Sequence, residues 1–142
     1  MKQKITKILV PMDGSQGSFK GLDEAIYLAQ HFNSAITALC VIPSYPPLPL
    51  MGKQIPYEKH ILAQAKKFMS NVKKICVNNK VKFNEKIIKG IATLDIADFA
   101  SANKFDLIVM GSRGMNPLKE LFLGSVSNAV THKSKIPVLI VK

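Results

Sequence analysis

The sequence predicts an α/β fold: an open, five-stranded parallel sheet with helices on both faces and strand order 3-2-1-4-5. Three observations carry that expectation. Short apolar runs alternate with stretches of helical period along the whole 142-residue chain, the β-α-β order that parallel strands require. The runs at 8–12 and 106–110 are the most continuously apolar, as strands covered on both faces are, so they belong at the centre of the sheet. If these first and fourth strands are neighbours, the winding reverses between them, and their carboxyl ends flank the crevice where open α/β sheets bind ligands.

The elements follow in chain order. Residues 8–12 read as a buried strand, after which Ser18 caps a helix with the apolar stripe Phe19, Leu22, Ile26 and Ala29, ended by Asn33. Residues 35–42 form the second strand. The segment 43–56 holds five prolines and reads as a semi-rigid excursion over the crevice, fitting either a lid or a plain connection. A long helix over about 57–77 turns Ile61, Ala65, Phe68, Val72 and Ile75 inward and carries Lys59, Lys66, Lys73 and Lys80 on its opposite face. Residues 81–88 alternate apolar and polar, as an outer strand does. Gly90 and Thr93 lead into a helix to about Asn103, residues 106–110 are the fourth strand, Ser125 opens a last helix, and 138–141 close the sheet. The whole reads as one Rossmann-like domain over 1–142, a length that suits a single core.

Composition narrows the function. No apolar run approaches the ~18 to 20 residues needed to span a bilayer, and Asp13 interrupts the first run too early for a secretory signal, so a cytoplasmic protein without a membrane partner is expected. Cys40 and Cys76 lie among apolar neighbours without CxxC spacing and read as buried free thiols. His31, His60 and His132 share no spacing typical of metal ligands. The net charge of +11 suggests a polyanion partner, but it comes from nineteen lysines and a single arginine with no aromatic residues interleaved. Solvated helix faces explain that charge better than a nucleic-acid partner, and a basic polyanion-binding adaptor is kept as an alternative.

The one arginine falls in "VMGSRGMNPLKELFLGSVS", residues 109–127, where a strand ends in glycine and a second glycine-serine pair precedes a helix. Glycines between a strand and a helix let backbone amides approach a phosphate, and the helix N-terminus adds partial positive charge. The best-known phosphate loops are excluded. The only Gly-Lys pair, Gly52-Lys53, lacks the rest of a Walker motif; the turn after the first strand, Asp13-Gly14-Ser15-Gln16-Gly17, is not a dinucleotide fingerprint; and Asp13 stands without the clustered acids of a phosphoacceptor domain. What remains is the pattern Gly111-x2-Gly114-x9-Gly124-Ser125. In it Arg113 can fork onto anion oxygens, and Ser125 and Ser127 can donate hydroxyl and amide hydrogens at the helix start. Each residue also has a plain structural reading: Asp13 as an Asx turn closing a strand, Ser125 as a helix cap, Arg113 as a surface side chain.

With these segments on the page the chain resembles the universal stress proteins: "KILVPMDGS", "GIATLDIADFA", "DLIVMGSRG" and "GSVSNAVTHKSKIPVLIVK" fall in family order, and the G-x2-G-x9-G-[ST] pattern is that of the ATP-binding branch. The resemblance implies an adenine near Val41 and the strand ends Pro11, Met12 and Met110. It places Asp13 near the ribose or a metal, and Gly111, Arg113, Gly114, Gly124, Ser125, Val126 and Ser127 around the phosphates. It implies ATP, with or without Mg2+, as the bound cofactor of a regulator of the stress response that does not turn over efficiently; a slow ATPase is the nearer alternative. Hydrolysis wants a group that orients the attacking water, and only Asp13 is placed near the site. Family members pair the last strand about a two-fold axis, and here that strand is an apolar run guarded only by Lys142, so a homodimer is expected. The sequence names no downstream protein partner.

Overall fold

The computed structural model describes residues 4–44, 57–113 and 123–142. Among them five strands form one parallel sheet in the order β3-β2-β1-β4-β5. The strands are β1 (Lys7–Pro11), β2 (Ala35–Pro43), β3 (Lys82–Gly90), β4 (Leu107–Gly111) and β5 (Val138–Val141). Their helices are α1 (Gln16–Phe32), α2 (Tyr57–Asn78), α3 (Ala92–Ala102) and α4 (Ser125–Lys133). The expected topology is the observed one, and β1 and β4 are hydrogen-bonded neighbours in the register Leu9↔Ile108.

Strand alternation sorts the core into two layers. Ile8, Val10 and Met12 of β1 and its exit, with Leu107 and Val109 of β4, meet Leu22, Ala25 and Ile26 of α1 and Ala65, Met69 and Val72 of α2. On the other face Leu9, Ile108 and Met110 meet Ile96 and Ala100 of α3 and Val130 of α4. Full burial of such a Leu, Ile or Val side chain is worth roughly 1.5–3 kcal/mol, and both central strands carry one in each layer. They therefore hold the two helix layers together and fix the crevice at their ends.

Local details depart from the sequence expectation in three places. Ser18 is not the cap of α1: Ser15 is, its hydroxyl accepting from the Ser18 amide at 3.1 Å, while the Ser18 hydroxyl donates to the Ser15 carbonyl at 2.8 Å. The turn is completed earlier because Gly14 takes φ 83°, a left-handed conformation that costs glycine little. The expected end holds, with Asn33 in the left-handed region. In α2 the most buried residues are Ala65, Met69, Val72 and Cys76, whereas Phe68 and Ile75 are half-buried. Ile61, Phe68 and Ile75 are partly buried and pack against the same core as expected, so the inward face is wider than the sequence stripe and takes in Met69 and Cys76 as well. In α3 the chain enters at Ile91, which has no capping side chain; the Asp95 carboxylate accepts from the Ile91 amide at 2.7 Å instead, and the helix begins at Ala92, so Thr93 lies inside it and does not precede it.

The lower ends of β1 and β4 are pinned by Asp106. Its Oδ2 accepts from the amides of Thr6 (2.9 Å) and Lys7 (3.0 Å) and from the Thr6 hydroxyl (3.0 Å). Desolvation by itself raises the carboxyl, but these donors and the nearby Lys7 ammonium outweigh it and hold Asp106 below its ordinary value. Both thiols are buried and free, and Lys59, Lys66, Lys73 and Lys80 are exposed, Lys80 standing beyond the end of α2. His31, His60 and His132 are exposed. No described helix is long and apolar enough to cross a membrane. Of the proline-rich excursion only Pro43 and Ser44 fall within the described residues.

Candidate functional site

The carboxyl ends of β1 and β4 open a cavity of about 250 Å3. It is built from three kinds of surface. The strand ends supply Pro11, Met12, Met110 and Gly111; an apolar wall comes from Leu39 and Val41 of β2, Ala92 and Ile96 of α3 and Val126 of α4; and the polar side holds Asp13, Arg113, Gly124, Ser125 and Ser127. Every residue expected from the sequence is therefore brought to this one place except Gly114, which lies outside the described residues.

Among the described residues no side chain caps the helix that points at the cavity. Gly124 is the N-cap of α4 and offers no side chain to the first-turn amides, which have no acceptor within the helix. Serine, threonine or aspartate is preferred at such a position. Nor does the backbone call for glycine, since φ −63° and ψ 164° suit any residue. A bare N-cap with an ordinary conformation leaves amides and partial positive charge accessible to an anion.

Gly111 has a different reason to be glycine. A Cβ there would collide with the carbonyl of Gly17 in the first turn of α1, and one on Gly17 would collide with the carbonyl of Arg113. One turn on, a Cβ on Gly21 would stand 3.1 Å from the Gly111 amide nitrogen. The bare backbone at Gly111 thus serves backbone-to-backbone packing of α1 on the end of β4, not the approach of an anion alone. This corrects the sequence reading, in which the loop glycines share one purpose.

The serines also divide. Ser125 is exposed at the cavity rim, whereas Ser127 is buried and its hydroxyl donates to the carbonyls of Ser112 (2.7 Å) and Gly124 (3.1 Å). With its single hydrogen spent there, the Ser127 hydroxyl is not the anion donor the sequence suggested; its amide remains in the uncapped turn. Asp13 does form the Asx turn, its Oδ1 accepting from the Ser15 amide at 2.9 Å. Among the described residues no group of three His, Cys, Asp or Glu side chains converges as a metal cage. Nearby on β2, burial foremost and then the Asp13 charge push the Cys40 thiol up to about 11, so it stays protonated and is neither nucleophile nor ready metal ligand.

Sequence reasoning missed Ser15, Ser18, Leu39, Ala92 and Ile96 in the lining. Leu39 was within reach, since it shares a strand face with Val41 at period two. Ala92 and Ile96 share a helix face at i, i+4, but only the crossover from β3 to β4 carries that face to the crevice.

The description of the universal stress protein family matches residues 4–142. The chain belongs to the universal stress protein family. The span takes in every residue of the cavity. Universal stress protein MJ0531 of Methanocaldococcus jannaschii is 33% identical over 138 residues, which is 96% of this chain and 81% of the relative. Among solved structures, protein MJ0577, a universal stress protein of the same organism, superposes with a TM-score of 0.87 at 31% identity, over 99% of this chain and 97% of that one. A universal stress protein from Archaeoglobus fulgidus, solved in complex with dAMP, shares the fold at a TM-score of 0.74 and 22% identity, over 99% of this chain and 100% of the other.

Proposed function

We propose that this universal stress protein binds ATP in the crevice between β1 and β4 and acts as a nucleotide-dependent regulator of the stress response. The observation that carries the reading is the N-terminus of α4, where Gly124 adopts a conformation open to any residue yet has no side chain, on the same polar side as Arg113 of a cavity with one apolar wall. Leu39, Val41, Ala92 and Ile96 suit a flat base, and the α4 amides with Arg113 suit phosphate oxygens. The dAMP held by the A. fulgidus protein is an adenine nucleotide on the same fold, which supports the choice of base.

Asp13 keeps Oδ2 for a ribose hydroxyl or for Mg2+, an ion that commonly takes one or two carboxylates plus substrate phosphates. It is the one carboxylate of the described lining and is already committed to the β1–α1 turn. That supports retention of ATP over efficient hydrolysis, which needs a group to orient the attacking water. In a calorimetric titration ATP is expected to bind near one per chain. Arg113→Ala removes a charge-assisted contact worth roughly 1.5–3 kcal/mol, so ATP should weaken ~10 to 150-fold with adenosine little changed. Equal losses for both ligands would take Arg113 out of the phosphate subsite.

The homodimer belongs to the same proposal. β5 is an outer strand of the sheet, and Leu139 on it is 38% exposed, so backbone donors, acceptors and apolar surface stand at one edge. Two copies related by a two-fold axis satisfy such an edge isologously. Leu139→Pro should then halve the mass seen by light scattering at micromolar concentration. A monomeric mass for the unaltered protein would overturn the dimer.

A further inference from the structure

Ser127 is 3% exposed, and α4 itself has no need of a hydroxyl at its third residue. Burying a hydroxyl costs free energy unless a partner repays it. Here the repayment comes from outside the helix: the Ser127 Oγ donates to the Ser112 carbonyl just beyond β4, at 2.7 Å, and shares its hydrogen with the Gly124 carbonyl at 3.1 Å. The Ser112 carbonyl also accepts from the Gly124 amide at 2.7 Å, and the Ser112 amide donates to Val141 of β5 at 2.9 Å. The backbone of one residue is thereby tied on its amide side to the last residue of β5 and on its carbonyl side to the start of α4.

We infer that Ser127 is a positioning residue for the anion subsite: its hydroxyl clamps the backbone of Ser112 to that of Gly124. This fixes the separation between the end of β4, which carries Arg113, and the uncapped amides of α4. The inference rests on the ATP reading above and goes beyond it, since the hydroxyl acts on the phosphates only through the backbone it holds. Two features keep this role apart from general stability. Removing the hydroxyl leaves the Ser112 carbonyl still bonded to the Gly124 amide, so no buried acceptor is orphaned. Four of the five residues of the apolar wall, Leu39, Val41, Ala92 and Ile96, come from β2 and α3, which the clamp does not touch; only Val126 lies on α4 beside it.

The test compares wild type, Ser127→Ala and Ser127→Thr by calorimetric titration with ATP and with adenosine, alongside amide hydrogen exchange at Gly124. Ser127→Ala should bind ATP about tenfold more weakly and adenosine as wild type does, the loss of one hydrogen bond. Exchange at Gly124 should quicken relative to the middle of α4, and Ser127→Thr, which keeps the hydroxyl, should restore both readouts. Equal weakening of ATP and adenosine would make Ser127 merely structural and overturn the inference. So would unchanged ATP affinity in Ser127→Ala while wild type binds well, and in that case the ATP reading stands alone. A wild type that binds no ATP would overturn both.

Discussion

Gly124→Val should abolish ATP binding and leave the protein folded. The backbone of Gly124, at φ −63° and ψ 164°, is one that valine adopts without strain, so the substitution does not act through conformation. Exchanging glycine for a β-branched residue at an N-cap costs about 1 kcal/mol, a shift of only a few degrees in Tm for a chain of this size. Binding responds far more strongly, because two γ-methyl groups occupy the space through which an anion reaches the first-turn amides of α4. A loss of at least a hundredfold in ATP affinity is expected, on the order of 3 kcal/mol, with far-ultraviolet circular dichroism unchanged. Wild-type affinity in this variant would remove Gly124 from the site and with it the glycine pattern as a phosphate loop.

Gly111→Val should do the reverse, damaging the fold before it damages binding. The space its side chain needs is already filled by the Gly17 carbonyl and Cα, and Gly21 approaches the same peptide one helical turn later. These neighbours are backbone atoms of a helix and a central strand, which cannot rotate aside as a side chain would. Over-packing of a tight core costs about 1–3 kcal/mol and more where nothing yields, so Tm should fall by roughly 10 °C. Urea unfolding with an unchanged m-value and a lower midpoint would locate the loss in the native state. A Tm within two or three degrees of wild type would show that α1 can draw back from β4 and that the Gly17–Gly111 contact is not tight. Glycines thirteen residues apart in the chain are thus expected to respond differently, Gly111 through the packing of α1 on β4 and Gly124 through the proposed ligand.

Much of this molecule was legible before any coordinates. The central strands could be recognised because residues buried on both faces leave continuous apolar runs, and β1 and β4 are such runs. The location of the cavity followed from their adjacency, which reverses the winding, and the glycine pattern drew attention to α4. Boundaries were less legible. Ser15 and Ser18 are both competent caps, and the choice between them turned on the left-handed Gly14, a conformation that composition alone does not reveal. The inward face of α2 was read correctly but too narrowly: Ile61, Phe68 and Ile75 do pack on the core, while the deepest positions beside Ala65 and Val72 are Met69 and Cys76, which the sequence stripe left out.

Order of elements, identity of the core strands and membership of the universal stress proteins are properties that the chain carries locally, in periods of two and 3.6 residues and in short contiguous motifs. The purposes of individual residues are not carried that way. That Gly111 is bare for α1, that the Ser127 hydroxyl is consumed by Ser112, and that Ala92 and Ile96 complete the apolar wall each depend on two segments far apart in sequence arriving at one point. Serine can cap, clamp or bind, and glycine can turn, pack or admit a ligand. What selects among these roles is which donor, acceptor or backbone atom lies within about 3 Å, and only the folded chain sets that distance.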